Sequence, residues 1–333
     1  MDNAALVLFF VLPFLAGIML ANIAERNDSL RTLQYVYLAI LNVGLIGVGI
    51  LLILTGVMQP LLATQQPQMP ITADWYGTGA ILIIGCTAAL LVLLPNVRRQ
   101  AARLFPIDPD SIVHTTALSM TATAVGGNFA QMVLTNSLLT AELLSELQAQ
   151  GVSATFVDIL VFPLLTLSVA ALLSVGWMTR RSWDEVIERL GLTMPAPMHL
   201  VLAGVITAAL IGLASAADQA WATLDPVGRE RVGSVSAELT KNFTGLSGAF
   251  AVGLTAGIGE ELFFRGAYQR RFGIVMTALV FSTFHIQYFI SIATLVVFII
   301  GLVLGWLRQR TSLTICILVH FLYNFVSVLL AGG

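Results

Sequence analysis

The chain has 333 residues, 57% hydrophobic and only 10% charged, with a mean hydropathy of +0.90. A soluble domain carries about 25% charge, so this composition excludes a water-soluble globule and describes a polytopic membrane protein. The net charge of −2 comes with no basic block that would suit nucleic acid, and the two cysteines have no CxxC spacing, which excludes a disulfide framework or a zinc knot.

About 20 apolar residues are needed to cross some 30 Å of hydrocarbon. By that measure residues 4–24, 33–58 and 77–96 are the first expected spans. Asp2 and the lack of a positive leader make the first a retained span rather than a cleaved signal. Cys86 and Cys316 both fall in apolar runs and read as small buried thiols. Stretch 112–141 holds His114, Asn128, Asn136 and a Gly126–Gly127 pair, so charge bias must decide whether it crosses. Arg98, Arg99 and Arg103 precede it, and Arg180, Arg181 and Arg189 follow the next apolar run, 153–177. Both basic loops belong on the cytoplasmic side, so 112–141 must cross for 153–177 to return.

Beyond residue 177, WDEVIERLGL followed by Pro195 and Pro197 reads as a short amphipathic cytoplasmic helix and a turn. Further spans are expected over 198–216, 245–264, 274–290, 291–307 and 311–331, with 217–243 an outer loop of mixed charge. The expected fold is therefore an all-α, polytopic helical bundle of about ten spans, alternatively eight or nine, with both termini outside. The only compositional oddity is the Gln/Pro-rich loop QPLLATQQPQMP. Residues 1–177 are apolar and chemically quiet, 178–197 form a linker, and 198–331 hold every polar intramembrane constellation.

Those constellations are three. GIGEELFFRGAYQRR carries Glu260, Glu261 and Arg265; FSTFH carries Phe281 and His285; HFLYN carries His320 and Asn324. Each such charge costs about 2.5–3.5 kcal/mol at a helix centre, so their accumulation on successive spans suggests an inward polar site. On an α-helix, positions four apart lie about 40° apart, which pairs Glu261 with Arg265 near the inner interface and leaves Glu260 free on another face. His285 and His320 then lie roughly 13–18 Å deep, close enough to converge with Glu260. Taken singly, each His reads as well as a core residue or as interhelical glue.

In this order, Glu-Glu-x-x-x-Arg, Phe-x-x-x-His and His-x-x-x-Asn resemble the CPBP intramembrane protease family. That family includes the type II CAAX prenyl endopeptidases and the bacterial Abi-type proteins. The resemblance covers 198–331 and makes that region a CPBP-type catalytic membrane core. It implies an intramembrane endopeptidase of a bacterial plasma membrane, acting on a peptide or a membrane-anchored protein whose prenylation is left open. Under it, Glu260 activates water, His285 orients that water, and His320 with Asn324 stabilises the oxyanion. Glu261, Arg265 and Phe281 are supporting. Family members are often labelled metalloproteases, so zinc on Glu260, His285 and His320 is left open, although HExxH is absent. Three rival readings exist. Gly245-Leu246-Ser247-Gly248 matches the GxSG of a rhomboid-type serine protease. A proton-coupled transporter would use buried Glu and His as a relay, and a non-catalytic binding or immunity protein would share the fold alone.

Overall fold

The computed structural model describes residues 3–65, 73–138, 146, 160–243 and 245–331. The Gln/Pro-rich loop beyond residue 65, the end of the 112–141 stretch and the start of 153–177 lie outside the described residues. All regular structure among the described residues is helical, and the one strand-type pairing is an isolated bridge between Trp177 and Arg181.

Four described helices are long and apolar enough to cross a membrane: Asp28–Pro60, Pro197–Leu224, Ile292–Arg310 and Leu313–Leu330. Trp75–Leu91 and Pro95–Ala101 make a fifth only if they count as one span, and they are bent by 96°. By length and composition the described residues thus carry four or five spans, where the hydropathy pattern suggested about ten. The difference arises because several apolar runs are broken. Pro95, at the first position of its helix, lacks the N–H that would have continued the preceding one. Gly273 has φ 72°, outside the helical region, and leaves only a short helix up to Thr283. The helix Asn3–Ala24 has 22 residues, and the residues leading into Phe162–Ser174 lie outside the described ones.

The first helices pack Trp75–Leu91 between Asp28–Gln65 and Ile112–Leu138. Their buried polar side chains serve as glue. Gln34 Nε2 donates to the Gly17 carbonyl at 3.1 Å and to Thr116 Oγ1 at 2.9 Å. Thr123 donates to Asn42 Oδ1 at 2.7 Å. Such bonds between apolar helices replace the hydrophobic drive that lipid removes.

Residues 176–193 cap one end of the bundle. Ser182 starts the helix Trp183–Leu190 with a full capping box, and Gly191 ends it in the left-handed region at φ 76°. Its buried face is Val186 and Leu190. The Gly191 carbonyl accepts from Leu313 N at 3.1 Å, which seats the cap on the start of the terminal helix. The mixed-charge stretch expected as an outer loop is helical instead. Asp225 receives Gly228 N at 2.9 Å and Pro226 opens the helix Pro226–Thr240. Arg229 grips Asp218 through two hydrogen bonds of 2.8 Å.

Candidate active site

Three elements bring the polar residues together: the segment Ala256–Tyr268, the turn after Thr283 and the helix Leu313–Ala331. The first was expected as the end of a regular span, 245–264. Instead the α-helix Gly245–Thr255 widens into π-type turns over Ala256–Glu260 and Leu262–Tyr268. Such turns are rare, and they frequently mark functional sites. Gly257 permits a close approach here, since a Cβ at that position would lie 2.9 Å from the Ile317 carbonyl of the terminal helix. The glutamates are thereby drawn against His320.

Glu261 and Arg265 form the expected pair, Nη1 to Oε1 at 2.8 Å, but not at an interface. Both side chains are fully buried, and the same Oε1 accepts from His320 Nδ1 at 2.8 Å. An ionised carboxylate only accepts, so this bond fixes the proton of His320 on Nδ1 and turns Nε2 away from Glu261. Arg265 also donates to the Gly301 carbonyl at 3.3 Å and lies 4.3 Å from the centre of the Phe281 ring. Gly301 allows that contact, for a Cβ there would meet Ala278 at 3.0 Å. One turn on, Gln269 Nε2 repeats the arrangement with the Gly305 carbonyl at 2.8 Å.

Glu260 differs from its neighbour. Its side chain keeps 24% of its surface exposed, and its Oε2 has no hydrogen-bond partner although that atom is buried. It faces Nε2 of His320 across 4.0 Å. Glu260 and Glu261 thus bracket one imidazole, each nearest a different ring nitrogen.

His285 reaches the same place by another route. It was expected on a continuous helix with Phe281, but the helix Gln269–Thr283 stops two residues earlier and His285 has φ −94° and ψ 57°. Its Nδ1 lies 3.1 Å from the Phe281 carbonyl. Its ring meets Phe281 edge-on at 4.9 Å and stacks on Tyr288 at 5.9 Å. His320 meets the same Phe281 ring at 5.9 Å, and His285 is in electrostatic reach of Glu260, His320 and Arg265. Asn324 donates to the His320 carbonyl at 3.1 Å, one turn along the terminal helix. Glu260, Glu261, Arg265, His285 and His320 therefore share one neighbourhood around Phe281, and Asn324 lies one turn beyond His320.

No local sequence signal marks the clamp around the His285 turn. Phe289 has φ 53°, a strained value for a bulky residue. It is buried with Trp221 and Val232, and Arg231 lies 4.9 Å over its ring. Arg231 also donates to the Asn136 carbonyl, tying the outer helix to Ile112–Leu138. From that same helix, Asn128 donates to Thr283 at 3.2 Å and Thr121 meets the Tyr268 hydroxyl at 3.1 Å.

No three His, Cys, Asp or Glu side chains converge as a metal site among the described residues. His320 Nδ1 is already committed to Glu261. By that measure Glu260, His285 and His320 form no zinc site as they stand, although the Nδ1 bond leaves His320 Nε2 open. The GxSG match has an ordinary structural explanation: Ser247 is exposed in the first turn of its helix, while Gly248 lies against the Phe243 backbone.

Residues 242–326 match the family model described as type II CAAX prenyl endopeptidase Rce1-like. Over this segment the chain is similar to the type II CAAX prenyl endopeptidases, in line with the resemblance of its three ordered motifs. No curated protein and no solved structure matches it.

Proposed function

We propose that the chain is an intramembrane endopeptidase that hydrolyses a peptide bond of a membrane-anchored protein or peptide by glutamate-activated water. The carrying observation is the unequal pair of neighbouring carboxylates. Glu261 is fully buried and its Oε1 is spent on Arg265 and His320, whereas Glu260 keeps exposed surface beside the free nitrogen of that same imidazole. A carboxylate so placed suits a general base, which contributes typically 10²–10⁴ in rate.

In this reading Glu260 takes a proton from water as the oxygen attacks the scissile carbonyl, and His285 orients that water. The carbonyl becomes a tetrahedral oxyanion facing His320 and Asn324. One Asn324 N–H is engaged by the His320 carbonyl, and the amide keeps its second N–H for substrate. Glu260 then returns the proton to the leaving nitrogen as the C–N bond breaks. The buried Glu261–Arg265 pair acts through His320, whose tautomer it holds. No metal takes part in these steps.

The test is cleavage of a membrane-anchored peptide library by the purified chain in detergent. Glu260→Gln, which keeps shape and removes basicity, is expected to abolish cleavage while expression and membrane insertion stay normal. Full turnover by that variant would defeat the assignment. Cleavage is also expected to survive chelation, and activity restored only by metal add-back would replace this mechanism with a metal-dependent one.

A further inference from the structure

The cap formed by residues 176–193 gathers arginines that the proposed chemistry does not use. Gly176, at φ 90°, turns the chain so tightly that a Cβ there would lie 3.1 Å from Arg181 Nη1 and 3.2 Å from Arg180 Nε. Arg181 is tied back to the Val175 carbonyl, and Arg180 Nε is buried without a hydrogen-bond partner. Arg189 ends the short capping helix, and its carbonyl accepts from Arg270 Nη1 at 3.3 Å. Arg271 donates to the Pro106 carbonyl at 3.2 Å.

Burial, with Arg270, Arg271, Arg181 and Arg180 around it, pushes the Arg189 guanidinium down to about 10. Arg180 is lowered for the same reasons, burial first and Arg181 next. The nearby carboxylates compensate only in part, Glu25 attracting Arg180 and Glu185 attracting Arg181, because each is held by other groups. Glu25 is held by Ser111 Oγ at 2.8 Å and Val113 N at 3.2 Å, and Glu185 by Ser182 N at 2.7 Å and Ser182 Oγ at 3.0 Å. Asp184 and Glu188 are exposed on the capping helix and form no ion pair with the cluster.

Like charges packed this closely repel, and half-buried guanidiniums give up water without gaining an ion pair. Planar guanidinium forks match phosphate oxygens and are enriched wherever phosphate is held. The cluster lies at the ends of apolar helices, where lipid headgroups lie. We propose that Arg180, Arg181, Arg189, Arg270 and Arg271 form a binding site for the phosphate of an anionic phospholipid. The lipid neutralises the cluster and fastens the cap, through Gly191 and Leu313, to the helix that carries His320.

The test uses the full chain in nanodiscs of phosphatidylcholine, with or without phosphatidylglycerol, reading retained lipid by native mass spectrometry and thermal unfolding alongside. The wild type is expected to retain phosphatidylglycerol and to melt at a higher temperature with it. Arg180→Gln with Arg270→Gln is expected to lower the preference over phosphatidylcholine roughly 30-fold, the weight of two interfacial cations. Arg103→Gln with Arg310→Gln, removing equal charge from exposed positions elsewhere, is expected to leave the preference intact. If the Gln pair does not fold, Arg180→Lys with Arg270→Lys keeps charge but loses the fork, and still weakens retention. Equal retention of both lipids, or an equal loss in the control pair, overturns the site. Stabilisation by inorganic phosphate alone would assign the cluster to a soluble anion and overturn the lipid.

Discussion

Between residues 17 and 138 the side chains that join the middles of the helices are neutral, and the charged contacts of Glu25 and Arg98 lie at helix ends. Gln34 reaches Gly17 and Thr116, Thr123 reaches Asn42, and Ser119 donates to the Ala89 carbonyl at 3.1 Å. Between residues 260 and 324 they are ionisable, and Glu261 and Arg265 have no exposed surface at all. Both regions hold apolar helices together, but neutral amides and hydroxyls do so at little cost. A buried ion pair often gains nothing over apolar residues of the same size. The C-terminal half therefore carries charges that packing does not need, and Glu260 among them has only His320 Nε2 at 4.0 Å as a charged neighbour. That contrast is why the chemistry is assigned to one half and support to the other.

The sharpest way to break the contrast is to remove one partner of the buried pair. Arg265→Leu leaves Glu261 charged and unneutralised in the core, a defect of about 3–5 kcal/mol. It should lower thermal stability in detergent by far more than any substitution at Gln34 or Thr123. Adding Glu261→Gln should recover part of the loss, because the orphaned charge is gone and the two effects do not add. A normal melting temperature for Arg265→Leu would mean the pair is not the keystone described here.

Next in size, Asn324→Ala removes the amide to which the proposed mechanism assigns the developing oxyanion. It should slow hydrolysis 10²–10³-fold, or about 2.7–4 kcal/mol, with little change in KM or stability. An unchanged kcat would move Asn324 into the same class as the neutral glue.

How much of this could be read beforehand follows from the kind of interaction involved. The Glu261–Arg265 pair was legible because i,i+4 spacing survives even where the helix widens into π turns. The triad with His320 was not, since a bond across 59 positions depends on how two helices approach. His285 was found for a partly wrong reason. The hydrophobic run continues past it, but Gly273 and the turn at residue 285 break the helix, and hydropathy cannot see either. The same breaks leave four or five candidate spans among the described residues, where about ten were expected. The Phe289 clamp had no sequence signal, because a positive φ at an aromatic residue follows no local preference.

That clamp gives a subtler test of which half positions the site. Phe289→Gly relieves backbone strain of about 1–3 kcal/mol but loses ring burial of about 1.5–3 kcal/mol. Stability should change little. Cleavage should nevertheless slow by up to about 10²-fold, since small displacements of a catalytic group cost that much. Phe289→Tyr should keep the ring and most of the rate. Equal activity in both variants would free His285 from dependence on the outer helix.

The smallest effect belongs to the neutral region. Gln34→Leu deletes both hydrogen bonds of that side chain, yet such bonds average only about 0.6 kcal/mol between membrane helices. Leucine fills a similar volume and suits its apolar surroundings, so the melting temperature should fall slightly and cleavage should not change. A large loss of cleavage at wild-type stability would show that Gln34 reaches the site energetically. The coupling would then run along Ile112–Leu138, whose Thr116, Thr121 and Asn128 touch Gln34, Tyr268 and Thr283 in turn.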